Sequence, residues 1–196
     1  MKLLIRRPEQ SDIQALHEFF DLVIRDTYKK EGIAELVDDQ QDEWETKKQY
    51  VAMDLESQGK KRFFWLALNE ETNDIIGTIE CGAANEIIQQ TIKEELFNCL
   101  EIGTVFVHPD YQNRGIGTML LQKMLLTLEN RRVPSFCLDS GYKQAQMIWQ
   151  KKFGQPDFVL ENYWGANSHH IYMETNTTIS NIEVKNALSD YTRTSM

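Results

Sequence analysis

Long apolar runs, paired cysteines and a surplus of positive charge are all missing from this 196-residue chain. No stretch has the length of a membrane-spanning helix, so no membrane is expected as a partner. The opening Met1-Lys2-Leu3-Leu4-Ile5-Arg6-Arg7 meets arginines before a signal-peptide core can form, which predicts no secretory leader. Cys81, Cys99 and Cys137 are scattered and odd in number, a pattern of free thiols in a reducing cytoplasm rather than of a disulfide frame. A net charge of −9 supplies no basic footprint, which argues against nucleic acid as the main partner. The same charge draws in a cationic acceptor such as an amine, although solubility alone also explains it. His17, His108, His169 and His170 show no metal-ligand spacing, and there is no serine-centred elbow or Walker loop, so no metal is expected.

What remains is the composition of a well-cored α/β domain. Lys2 to Arg6 reads as a first strand. Ser11 then caps a helix, with Gln14 in the capping-box position and Ile13, Leu16, Phe20 and Val23 on one face. The polar run Asp26–Gly32 is expected to break it, and a second helix follows over about Gln40–Leu55. Arg62–Leu68 and Ile75–Cys81 read as a hairpin joined by a turn-rich segment. Glu86–Phe97 is expected to be a short helix before a central strand, Leu100–Val107. Further strands are expected at Ser135–Asp139, Phe158–Trp164 and His169–Glu174, with a helix over Tyr142–Phe153. The acidic run Asp38, Asp39, Asp42, Glu43 and Glu45 reads as a solvated face, as do Lys29 and Lys30.

The most informative segment runs from Val105 to Thr118. A strand ends at Val107, a turn passes through Pro109, and Gly115 and Gly117 lead into a helix. Its buried face is written in Met119, Leu120, Leu121, Met124, Leu125 and Leu128. The first N–H groups of such a helix have no intrahelical partner, and the dipole adds positive character. Glycines there let a pyrophosphate approach the main chain. The plain alternative is a strand-to-helix loop whose glycines serve tight packing.

The segment resembles the cofactor motif of the GNAT superfamily of N-acetyltransferases, whose pattern is Gln or Arg, two residues, Gly, one residue, then Gly or Ala. Gln112, Gly115 and Gly117 fill it, preceded by Val107, His108 and Pro109. The resemblance covers residues from about 2 to 174. It implies a single α/β (α+β) domain, with a central mixed, mostly antiparallel sheet of about seven strands flanked by helices. On that basis residues 1–174 form the acetyltransferase domain, and 175–196 a polar tail that is an edge element, a dimer arm or a disordered end. Acetyl-CoA is the implied co-substrate. The backbone of Val105, Phe106 and Val107 would pair with its pantetheine arm. The N–H groups of Gln112, Asn113, Arg114, Gly115, Ile116, Gly117 and Thr118 would cradle its pyrophosphate. The acceptor would be a small-molecule or peptide amine, and a homodimer is possible by analogy.

Glu101, six residues before Val107, matches the register at which histone-type members place a proton-abstracting glutamate. If the strand is regular, Glu101, Gly103, Val105 and Val107 share a face; a bulge would shift that parity. A buried carboxylate there would have a raised pKa suited to a base, whereas a solvent-facing one would be inert. The family's tyrosine acid is replaced by Trp149, whose indole is a donor but not an acid. Core packing is the plain reading of Trp149, and Tyr142, Ser140 and Tyr163 are open alternatives for the acid. Tyr28 and Trp44 are candidate walls of the acceptor cleft. Two functions follow: transfer of acetyl to a primary amine by direct attack on the thioester, or a CoA-binding module with little or no turnover.

Overall fold

The computed structural model describes residues 2–91 and 99–177. One sheet runs in the order β1-β2-β3-β4-β5-β7-β6. Its strands are β1 (Leu3–Arg6), β2 (Arg62–Asn69), β3 (Ile75–Ala83), β4 (Leu100–Val107), β5 (Ser135–Ser140), β6 (Phe158–Leu160) and β7 (His170–Asn176). All neighbours are antiparallel except β4 and β5, which are parallel. Helices α1 (Ile13–Glu31) and α2 (Val37–Ser57) cover one face. Helices α4 (Ile116–Asn130) and α5 (Lys143–Phe153) pack on the other, and α3 (Glu86–Thr91) follows β3. The expected continuation of α3 to Phe97 lies outside the described residues. No helix among the described residues is long and apolar enough to cross a membrane.

Each face has its own apolar core. Leu120, Met124 and Leu128 of α4 join Ile76, Ile79 and Phe136 on one side; Leu16, Phe20 and Ile24 of α1 join Phe64, Leu66 and Leu68 on the other. Burying side chains of this size contributes about 1.5–3 kcal/mol each. Gly77 sets the height of α4, because a Cβ there would meet Leu120 at 2.9 Å and Ile116 at 3.1 Å.

Several boundaries differ from the sequence reading, each for a local reason. The run Asp26–Gly32 does not break α1 but forms its last turn. Tyr28 is buried, Lys30 pairs with Asp26 at 2.6 Å, and only Gly32, at φ 76°, ends the helix. Ser11 is not the cap; it sits in a 3-10 turn, Gln10–Asp12, where Asp12 accepts from the Glu9 N–H at 2.7 Å and pairs with Arg6. β6 stops at Leu160, because the following chain turns through Asn162 and Asn167 at φ 56° and 60°. β7 continues to Asn176, and the Thr177 N–H bonds the Pro134 carbonyl at 3.0 Å. The tail from 178 onward lies outside the described residues.

The central strand is bulged. Thr78 faces Phe106 while Glu80 faces Gly103, so two residues of β4, Thr104 and Val105, oppose Ile79 alone. Thr104 sits at φ 48°, a region that costs a β-branched residue about 1–3 kcal/mol. Its carbonyl is satisfied by the Thr78 hydroxyl at 2.9 Å. The bulge reverses side-chain parity: Ile102, Val105 and Val107 face the α4 core, whereas Phe106 packs with α1. The expected common face of Glu101, Gly103, Val105 and Val107 is therefore broken, and Glu101 is turned toward α2.

Candidate active site

β4 and β5 separate. They are in register only at Leu100–Phe136 and Glu101–Cys137, while β3 accompanies β4 to Val107. Beyond Glu101 the β5-facing edge of β4 has no strand beside it among the described residues, and a cleft of about 150 Å³ opens there. Val105, Phe106, Val107 and Gln112 line one wall, Tyr142, Gln144, Ala145 and Ile148 another, and the end of α1 closes it above. A free strand edge offers backbone donors and acceptors to an extended amide chain.

The cleft leads to the start of α4. The first helical bond runs from the Met119 N–H to the Gly115 carbonyl at 3.0 Å, so Ile116, Gly117 and Thr118 present N–H groups without a helical acceptor. Asn113 at φ 60° and Gly115 at φ 82° bend the loop so that it arrives end-on. A Cβ on Gly115 would meet nothing within 4 Å, and one on Gly117 only Val107 at 3.6 Å. The space outside these glycines is open, and a side chain there would fill it. The Gln112 N–H bonds the Pro109 carbonyl at 3.3 Å, and its side chain donates to the Val107 carbonyl at 3.1 Å and accepts from Lys30 at 2.9 Å, tying the loop to β4 and α1. The Arg114 guanidinium lies 5.3 Å from the Tyr111 ring centroid. Lys152 of α5, which the sequence reading passed over, donates to the Thr118 hydroxyl at 3.1 Å and adds a cation beside the helix start. Taken together, loop and strand edge fit a phosphate-bearing pantetheine chain.

Glu101 stands where the two strands part. It is buried, and its Oε2 accepts from the Asn85 N–H at 2.7 Å. Asn85 Nδ2 reaches Glu101 Oε1 at 3.3 Å and Asp139 Oδ2 at 2.8 Å. His170 Nε2 meets the same Asp139 oxygen at 2.9 Å, and the Trp164 indole N–H donates to His170 Nδ1 at 3.0 Å. An indole only donates, so Nδ1 is the acceptor and Nε2 carries the proton given to Asp139. On the other side, Glu80 pairs with Arg62 at 2.8 Å. A Cβ on Gly103 would lie 2.7 Å from Glu80 Oε1 and 3.1 Å from Glu101 Oε1, so the two carboxylates share the room this glycine leaves. Burial, followed by the Asp139 and Glu80 charges, pushes the Glu101 carboxyl up to about 7, against the pull of Lys47 and Arg62.

Among the other candidates, Tyr142 lines the cleft and its hydroxyl donates to Glu43. Burial and the Glu43 carboxylate push that phenol far up, so it stays protonated. Tyr28 stands edge-on to Tyr142 at 5.9 Å, and burial pushes it up to about 12. Ser140 uses its hydroxyl to accept from the Tyr142 N–H, and Tyr163 packs against Trp164 in the β6–β7 loop. Trp149 is buried in the α4–α5 core, stacked on Phe153. Trp44 donates to the His17 carbonyl at 2.9 Å and does not line the cleft.

Sequence reasoning missed Glu43, Lys47, Glu80, Asn85, Asp139 and His170. The sequence places Glu43 with its acidic neighbours on a solvated face, whereas it turns inward to the cleft and accepts from the Tyr142 hydroxyl. A signal existed: the apolar residues of α2 that reach the core are few, Trp44, Tyr50, Val51 and Leu55, although a helix covering a sheet normally needs a fuller stripe.

Comparison with known proteins agrees with this geometry. No curated protein sequence matches the chain. Solved structures do, at identities that establish the fold. The PaiA N-acetyltransferase of Thermoplasma acidophilum, in complex with coenzyme A, superposes with a TM-score of 0.63 at 16% identity, covering 89% of this chain and 100% of that one. An aminoglycoside 6'-acetyltransferase type Ii gives 0.60 at 16%, covering 91% and 99%. A ribosomal-protein-alanine N-acetyltransferase of Brucella melitensis gives 0.62 at 18%, covering 88% and 99%. The sequence itself matches the profile described as "Acetyltransferase (GNAT) family" over residues 17–155, so a bulged β4, a split sheet and a glycine-led helix stand here in a chain that belongs to that family.

Proposed function

We propose that this chain transfers the acetyl group of acetyl-CoA to a primary amine by direct attack on the thioester. The observation that carries the reading is the split between β4 and β5, which runs from the free N–H groups of α4 to the buried carboxylate of Glu101. The co-substrate brings an activated acyl group whose C–S bond breaks as the C–N bond forms. The edge of β4 from Val105 to Val107 holds the pantetheine arm extended, and the N–H groups around Gly115–Thr118 hold the pyrophosphate. Both fix the carbonyl relative to Glu101.

Glu101 removes a proton from the acceptor ammonium. With its carboxyl at about 7 it is largely ionised just above neutrality yet basic enough to accept. Tyr142 stands in the same cleft as a protonated phenol, and would serve the departing thiolate by turning its O–H from Glu43 to the sulfur. No cysteine is placed to form an acetyl-enzyme. Cys137, opposite Glu101, is kept as a thiol by its hydrogen bond to Cys99 and by burial.

The acceptor is a cation by this reading, because among the described residues four carboxylates (Glu43, Glu80, Glu101 and Asp139) gather around two basic side chains, Lys47 and Arg62, with His170 on Asp139 alone. The test is acetyl-CoA-dependent thiol release across polyamines, aminoglycosides, amino acids and peptides, with mass spectrometry of the product. One acetylated amine is expected. Tight acetyl-CoA binding with silence across the panel would favour a binding module instead. Gly117→Val should abolish acetyl-CoA binding in a titration, and near-normal affinity would overturn the placement of the pyrophosphate.

A further inference from the structure

A helix that covers a sheet ordinarily turns apolar residues inward, yet α2 turns inward a stripe of Glu43, Lys47, Tyr50 and Asp54 at three- and four-residue spacing. Lys47 is the odd member. Its Nζ lies 5.5 Å from the centroid of the Tyr50 ring and 5.8 Å from that of Phe106, within range of attraction to both π faces. Across from it, Glu80 and Glu101 aim their Oε1 atoms into the space over Gly103. Glu43 lies one turn earlier on the same helix.

Despite this company, Lys47 has no hydrogen bond or ion pair of its own among the described residues. Glu43 is taken by Tyr142, Glu80 by Arg62 at 2.8 Å, and Glu101 by Asn85 at 2.7 Å. The adjacent Lys48 shows the ordinary alternative, a direct pair with Glu45 at 3.0 Å. Lys47 is thus held by field and aromatic faces, not by contact. Burial works against its charge, but the combined carboxylates of Glu43, Glu80 and Glu101 outweigh it and keep the ammonium charged. Nearby carboxylates together with the Phe106 ring, and the Tyr50 ring that Lys47 shares with the Arg62 guanidinium at 3.5 Å, are surroundings that suit a primary ammonium on an aliphatic stem.

We propose that the Lys47 ammonium occupies the seat of the acceptor amine, as an internal cation that the acceptor must displace. The inference rests on the amine-transfer reading and deepens it. The seat selects an unbranched primary alkylammonium, the group that Lys47 itself presents. Without a direct partner to break, Lys47 withdraws along its flexible stem when a ligand ammonium enters. Occupied by Lys47, the seat keeps the Glu80–Glu101 pair neutralised between turnovers.

The test uses n-butylamine, which is the lysine side chain without its backbone. Lys47→Ala empties the seat, and the full-length variant should bind n-butylamine at least tenfold more tightly than wild type, read by calorimetric titration. Adding Glu101→Gln should remove that gain. Equal affinities in wild type and Lys47→Ala would overturn the proposal. Loss of acetyl-CoA binding in the wild type would instead count against the transferase reading, and the butylamine comparison would still decide the seat. Lys47→Met keeps the bulk of the stem without its charge and provides a second measurement. The Glu101 carboxyl, followed by carbon NMR, should then titrate higher by about one pH unit, since Asp139 and Glu80 would act on it with only Arg62 opposing. An unmoved titration would show that the ammonium does not face Glu101, and would overturn the proposal as well.

Discussion

The helices α4 and α2 lie on opposite faces of one sheet and are built on opposite principles. α4 buries Ile116, Leu120, Leu121, Met124, Leu125 and Leu128, with Gln122 as the one polar side chain buried among them. α2 buries only Val51 and Asp54, turns Lys47 and Tyr50 toward Glu80, Glu101 and Arg62 of the sheet, and gives Glu43 to the Tyr142 hydroxyl. Asp54 is tied to Arg7 at 2.5 Å, so even the anchor of α2 is an ion pair. Burying paired charges adds little to stability when desolvation is counted. The comparison teaches that α4 holds to the sheet by apolar burial, while α2, beside the apolar α1 on the other face, gives up part of that contact to keep titratable groups near the cleft.

The largest expected effect that would break the comparison is on turnover. Glu101→Gln should lower kcat/KM near neutral pH by about 10²–10⁴-fold, with a smaller loss at high pH where the amine is already neutral. A pH-independent loss, or none, would remove Glu101 from proton transfer. Leu120→Ala on the opposite face should cost about 2–5 kcal/mol in urea unfolding, because Leu120 is fully buried, yet leave the pH dependence of the remaining activity where it was. Movement of that profile would show that the two faces are not independent.

Stability itself should separate them more finely. The Glu101 carboxyl titrates near 7 when folded and near its ordinary value when unfolded, so the folded state holds the extra proton between these values. Stability therefore falls as pH rises from about 4.5 to 7, and the cost is complete above 7. Glu101→Gln should be more stable than wild type above pH 7 by about 1–3 kcal/mol, with the gain vanishing below pH 4.5. A gain confined to acid would reverse the sign of this account. The smallest effect is expected from Asp139→Asn, which removes a carboxylate acting on Glu101 through Asn85. The acid limb of kcat/KM should move down by about half to one pH unit. An unchanged limb would make Asp139 purely structural.

The α4 face was legible in the sequence because its signals are local. Apolar spacing fixed the helix, and Val107 to Gly117 fixed the strand, turn and open N-terminus that the structure brings together. The α2 face was not legible, because its residues acquire meaning only through long-range neighbours. Glu43 reads as one more surface acid until Tyr142 arrives beside it, and Glu80 meets Glu101 only across the β3–β4 pair over Gly103. The family resemblance implies a bulge near the cofactor; its place at Thr104 and its consequence for the direction of Glu101 need the register of both strands. Trp149 departs from the family pattern, and the structure places it where its plain reading does, packed in the core.

The most direct test of the account is the titration of the Glu101 side chain by carbon NMR in the wild-type protein, assigned by comparison with Glu101→Gln. A midpoint near 7 is expected, from a carboxyl buried at the point where β4 and β5 part and faced by Asp139 and Glu80. A midpoint near the ordinary glutamate value of about 4.3 would contradict it, because that carboxylate would be solvated and unfit to take a proton from an ammonium.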